Sequence, residues 1–199
     1  MLALAFALVL PHLAHAADPT KPFVVKGIGA APCSAFNKAD EAKDTAFFGE
    51  LGGWIDGYIT AANALSENTV AVTPWEKTEL FILLLQSNCA QNPDLQVISI
   101  VGAIVQSWFP DRLREPNESK QVDLGEGRKV THFVETLRRI QNALKKQGFY
   151  NGGIDGDYGP GTRTAMAAFQ KSIDLEPTGL PDQLSLLRLL HPSSPPAKN

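Results

Sequence analysis

With 199 residues, 44% of them hydrophobic and 20% charged, and a formal net charge of -3, the chain has the make-up of a folded globular protein. The mild acidity, concentrated in residues 33–111, argues against nucleic acid as a partner, because phosphate contacts need clustered Lys and Arg. The length allows one medium or two small cores, and two is the better count.

Residues 2–10 form a short apolar run followed by Pro11 and the small-residue sequence Ala14-His15-Ala16. This reads as a signal peptide over residues 1–16, with the mature end near Ala17. The run is too short to span a bilayer, so export is expected and not anchoring. A buried N-terminal helix is the competing reading, and no Lys or Arg precedes the run. No other stretch approaches membrane length, so no membrane span is expected. Residues 17–32, rich in Ala, Pro, Gly and Lys, read as a flexible arm.

Residues 33–111 read as an all-α domain. Phe47, Leu51, Trp54, Ile55, Tyr58, Ile59, Ala62 and Leu65 recur at helical spacing, on a face wide enough to be largely buried. Gly49, Gly52, Gly53 and Gly57 weaken that helix and suggest close packing against a neighbour. Thr73-Pro74-Trp75-Glu76 has the form of a capping box with Pro in the first turn, which predicts a helix from Pro74 to about Ala90. Asn92-Pro93-Asp94 then restarts a helix carrying Val97, Ile98, Val101, Ile104, Val105 and Trp108 inward until Pro110.

Cys33 and Cys89 are the only cysteines. In an exported chain an even count of two predicts a disulfide between them, and neither has the CxxC spacing or flanking cation of a redox site. The entry Cys, the Gly-Tyr-Ile helix, Ser87-Asn88-Cys89-Ala90-Gln91-Asn92-Pro93 and the closing Ser107-Trp108 resemble the HdeA-like family of small periplasmic helical domains. That resemblance implies a noncatalytic domain that binds another protein.

Residues 33–111 hold ten acids against three lysines, whereas residues 132–191 hold seven bases against six acids. The acidic half is either a solvated face or a surface that attracts a basic protein. Residues 112–131 mix charges with Pro116 and Gly125-Glu126-Gly127 and read as a linker. Residues 192–199 read as a disordered tail.

In residues 132–191, Val134, Leu137, Ile140 and Leu144 recur at helical spacing, with Arg138, Arg139, Lys145 and Lys146 left for the outer face and a stop near Gly148. A glycine-rich loop, Gly152-Gly153-Ile154-Asp155-Gly156-Asp157-Tyr158-Gly159-Pro160-Gly161, leads to Thr162 as an N-cap. Ala165, Met166, Phe169 and Ile173 then mark a second helix. Leu184, Leu187 and Leu190 mark a third, starting near Pro181-Asp182. His132 and His191 flank the unit without Cys or carboxylate at ligand spacing, so both read as surface residues and no metal site is expected.

The order of Ile140-Gln141-Asn142-Ala143-Leu144, Gln147-Gly148-Phe149-Tyr150, the loop from Gly153 to Thr162, Phe169-Gln170 and Thr178-Gly179-Leu180 resembles the peptidoglycan-binding domain of the three-helix type, over residues 137–190. The family often has Phe where Tyr158 stands. The resemblance implies noncovalent attachment to bacterial cell wall. Sugar rings pack on aromatics, and stem-peptide carboxylates suit arginine or a helix N-terminus, so Tyr150, Asp155, Tyr158, Thr162 and Arg163 are the candidate peptidoglycan-binding residues. Each has a plainer alternative. The tyrosines could close the small core, Asp155 could fix its own turn, and Arg163 could be a solvated first-turn residue.

Wall-binding modules are often joined to hydrolases, but the chain shows no catalytic set. No histidine lies between Ala17 and His132, and the thiols are taken by the expected bridge. A transglycosylase working with Glu50 as general acid is the alternative. The expectation is a periplasmic or secreted, noncatalytic binder of peptidoglycan without cofactor, whose N-terminal domain engages a periplasmic protein.

Overall fold

Pro32 and Asp44 set the starts of the first two α-helices among the described residues. The computed structural model describes residues 23–125 and 127–192; the expected signal peptide, the start of the arm and residues 193–199 lie outside the described residues. Helix α1 (Cys33–Ala42) follows Pro32 and stops at Lys43, whose left-handed φ of 53° ends the turn. Asp44 then caps α2 (Thr45–Leu65), its Oδ1 accepting from the Ala46 and Phe47 N–H groups at 3.0 Å each. Helices α3 (Thr78–Gln91) and α4 (Val97–Trp108) complete the first half. The Cys33–Cys89 disulfide ties the start of α1 to the end of α3, as the cysteine count predicts.

The arm is docked sooner than its composition suggests. Gly27–Ala30 makes a short 3₁₀ turn under the Trp54 ring, and Trp54 Nε1 donates to the Lys26 carbonyl at 2.9 Å. A Cβ at Gly29 would lie 1.9 Å from that ring, so glycine permits the approach. On α2 only Leu51 and Ile55 are fully buried, and Leu65 is exposed, so the wide apolar face is covered only along its middle.

The expected start of α3 is corrected. The helix begins at Thr78, not Pro74, and has no side-chain cap. Trp75 and Glu76 are held in the joint between the two halves described below, and tertiary contacts there override the local capping pattern.

The segment read as a linker contains an antiparallel hairpin, β1 (Ser119–Gly125) and β2 (Arg128–Phe133). Val122 pairs with Val130 and Lys120 with His132, and a bulge falls between Asp123 and Gly125. The signal was present as period-two alternation on both sides of two glycines, Gly125 and Gly127, which take φ of 83° and 74° in the turn. Charge mixing hid it.

Helices α5 (Val134–Lys146), α6 (Pro160–Ser172) and α7 (Gln183–Leu190) form the C-terminal unit at the positions that their apolar spacing predicts. Its core is Leu137, Ile140, Leu144, Met166, Phe169 and Leu186. The described residues are thus mostly helical with one small sheet, and the buried residues of both halves form one connected cluster. None of the described helices is long and apolar enough to cross a membrane.

Candidate functional site

Two buried glutamines organise the C-terminal unit. Gln141 lies on the inner face of α5 and Gln170 on that of α6, and an enclosed carboxamide must find partners for its oxygen and both N–H groups. Each finds them in the loop after its own helix. Gln141 Oε1 accepts from the Gly156 N–H at 2.9 Å, and its Nε2 lies 2.7 Å from Asp155 Oδ1, 2.9 Å from the Asp157 carbonyl and 3.3 Å from Thr162 Oγ1. Gln170 Oε1 accepts from the Gly179 N–H at 2.7 Å, and its Nε2 lies 3.0 Å from the Leu180 carbonyl and 2.9 Å from Ser185 Oγ.

The two arrangements are one device used twice. Asp155-Gly156-Asp157 corresponds to Thr178-Gly179-Leu180, and Thr162 to Ser185. In each, the first side chain accepts from the N–H two residues on, at 2.9 Å for Asp155 and 3.1 Å for Thr178. Both glycines have positive φ, 77° and 68°. A Cβ would come within 2.6 Å of Val134 at Gly156 and within 2.7 Å of the Arg163 backbone at Gly179. Both glutamines stand in the motif that carries the family resemblance, but neither is among the candidate contacts read from the sequence. The available signal was an amide on an otherwise apolar helical face, next to Leu137, Ile140 and Leu144 or next to Met166 and Phe169.

The five candidate contacts are placed as follows. Tyr150 is buried and its hydroxyl donates to the Gly153 carbonyl at 2.9 Å. Tyr158 is half-buried, donates to the Gly179 carbonyl at 3.1 Å, and has its pKa pushed up by burial. Both tyrosines help to close the core and its loops. Asp155 is exposed, and the Gln141 amide, followed by the Asp157 N–H, holds its carboxyl below the usual carboxylate range. Thr162 is buried inside the first turn of α6; Gly159, not Thr162, is the N-cap. The Arg163 guanidinium donates to the Asp123 carbonyl and so fastens the hairpin to the helices, as does the Lys120–Asp157 ion pair. The loop's outward face is left to Asn151, Gly153, Ile154 and Asp155, with Ile154 42% exposed.

Both histidine expectations are corrected, since neither is a surface residue. His132 is buried on β2 and its two ring nitrogens have no hydrogen-bond partner. Burial, and then the Lys77 charge, pull its pKa down to about 4. His191 is buried at the end of α7, stacked between Trp75 and Trp108 at ring-centroid distances of 5.5 and 5.0 Å. Its Nε2 lies 3.0 Å from Glu76 Oε1. Beside it, the Gln183 carboxamide accepts from the Lys77 N–H at 2.8 Å and donates to the Trp75 carbonyl at 2.9 Å. These contacts join the C-terminal unit to the disulfide-bonded half. Among the described residues no group of three or more His, Cys, Asp or Glu could hold a metal ion.

Three short helices whose two loops are locked from within make up the C-terminal unit. Residues 134–189 match the family model of the peptidoglycan binding domain, the segment to which the loop motif points. The match supports cell-wall binding. No curated protein and no solved structure matches the chain.

Proposed function

We propose that this is a noncatalytic peptidoglycan-binding protein of the bacterial envelope, periplasmic or secreted, whose N-terminal half docks a second protein. The observation that carries the wall-binding part is the family match over residues 134–189 together with loops pinned by Gln141 and Gln170, which hold a fixed surface at little entropic cost on binding. The disulfide favours an oxidising compartment such as the periplasm. The acidic excess of residues 33–111 favours a basic protein as the second partner.

Several placements support a noncatalytic reading. Both cysteines are in the disulfide, and His191 is enclosed between two tryptophans. Glu50, the residue on which the transglycosylase alternative depends, is exposed on α2, and a side chain added at its neighbours Gly49 or Gly53 would meet nothing within 4 Å. A general acid for glycoside cleavage needs a cleft that holds the sugar and raises its pKa.

Incubation of the full chain with purified sacculi tests the proposal. Pelleting without release of soluble muropeptides is expected. Release of fragments that is lost in Glu50→Gln would replace the binder by the enzyme.

A further inference from the structure

A cleft of about 370 Å³ opens where α5, the end of α7 and the Trp75 and Asp111 segments of the N-terminal half converge. That volume falls in the range of small-ligand pockets, roughly 300–1,000 Å³. Its α5 wall is a single stripe: Arg139, Asn142, Ala143 and Lys146 recur at helical spacing on the side of the helix away from the Leu137, Ile140 and Leu144 core face.

The polar groups of this stripe are largely unused. Asn142 and Lys146 make no side-chain hydrogen bond or ion pair among the described residues, whereas Lys145 donates to the Gly152 carbonyl and belongs to the loop side. Arg139 is planted at the rim, with Nε bonded to Glu135 at 3.3 Å and one Nη to the Asp111 carbonyl. Two of its five N–H donors are engaged, and the fork is held still. The Asp111 carboxylate, on the residue whose carbonyl takes the Arg139 bond, is largely exposed, and His191 Nδ1 lies 3.9 Å from it. Leu189, Leu190 and Pro192 supply an apolar strip between the two polar sides.

This arrangement is complementary to a small zwitterion: the α5 stripe offers Lys146, Asn142 and the free donors of Arg139, the adjoining Asp111 offers an exposed carboxylate, and Leu189, Leu190 and Pro192 offer apolar surface. We propose that the cleft binds the stem peptide of peptidoglycan, a terminal carboxylate going to Lys146, Arg139 and Asn142, the diamino-acid ammonium to Asp111, and alanyl methyl groups to the Leu189, Leu190 and Pro192 strip. The inference rests on the wall-binding reading and places the peptide site at the joint between the two halves, away from the glycine-rich loop. Glycan chains without peptide carry no ammonium for Asp111 and no alanyl methyl groups for the apolar strip, and are not ligands of the cleft.

Calorimetric titration of the full chain with the synthetic pentapeptide L-Ala-γ-D-Glu-L-Lys-D-Ala-D-Ala, run beside sacculus pelleting, tests it. Lys146 is exposed, so Lys146→Glu should leave the circular dichroism spectrum unchanged while weakening the peptide about tenfold or more. Amidation of the peptide's terminal carboxylate, or acetylation of its lysine, should weaken binding to the wild type to a similar degree. Asp111→Asn should remove the penalty for acetylation. Sacculi that pellet while the pentapeptide fails to bind, or binds equally to Lys146→Glu, overturn the cleft and leave wall binding standing. Failure of both overturns the cleft and the wall reading together.

Discussion

His191 and Glu76, 115 positions apart, meet at 3.0 Å with the imidazole lying between the Trp75 and Trp108 rings. The C-terminal end of α7 is thereby fastened to the segment just before α3. The two halves of the protein are thus held as a unit by one aromatic sandwich and one buried hydrogen bond, reinforced by the Gln183 carboxamide on the Trp75 and Lys77 backbone.

Breaking that joint has a measurable cost. His191→Ala removes the stacked ring and leaves the buried Glu76 Oε1 without its partner, only Oε2 keeping the Trp75 N–H, so a loss of about 2–3 kcal/mol in urea unfolding is expected. Limited proteolysis should also open the 112–131 segment faster than in the wild type. Unfolding at the same midpoint, with unchanged proteolysis, would show that the joint contributes nothing.

Each locking glutamine should matter more than its helical position suggests. Gln141→Leu keeps the apolar packing of α5 but strands the Gly156 N–H and leaves the Asp157 carbonyl only the Thr162 hydroxyl, at a cost of about 2 kcal/mol. Gly156→Ala should cost a comparable amount through its positive φ and its 2.6 Å approach to Val134. The two effects should be strongly non-additive in a double-mutant cycle, since both release the same loop. Simple additivity would contradict the shared device.

Acid should destabilise the fold through His132. Its pKa is about 4 in the folded protein against an ordinary 6.5, so the unfolded chain takes up the proton first as pH falls. The neutral imidazole therefore contributes fully above pH 6.5, and the contribution is lost as the pH drops toward 4. At 1.36 kcal/mol per pKa unit the loss is about 3 kcal/mol. Comparing urea midpoints at pH 7 and pH 4.5 for the wild type and His132→Leu checks this: the variant should show a clearly smaller decline.

Reduction should loosen the N-terminal half. The Cys33–Cys89 bridge joins residues 56 positions apart, a loop whose closure stabilises the fold by about 4 kcal/mol on chain-entropy grounds. Cys33→Ser with Cys89→Ser should lower the unfolding midpoint accordingly, measured by circular dichroism. Sacculus pelleting should persist wherever the C-terminal unit stays folded.

The sequence by itself determined what depends on neighbours along the chain: the helical class, the three helices of the C-terminal unit, the glycine loops that only left-handed backbone allows, and the pairing of the only two cysteines. Tertiary structure decided what depends on residues far apart. Thr73-Pro74-Trp75-Glu76 has the letters of a helix cap, but Glu76 bonds to a histidine 115 residues away, which no local pattern encodes. His132 and His191 look like isolated surface polars until the fold encloses them. Tyr150, Tyr158 and Thr162 belong to the family's motif and Arg163 follows it, yet the structure turns their polar atoms inward or toward the hairpin. The physical reason is the same in each case. Local spacing fixes backbone shape, whereas the destination of a polar side chain is set by which buried donors and acceptors the rest of the chain leaves unmet.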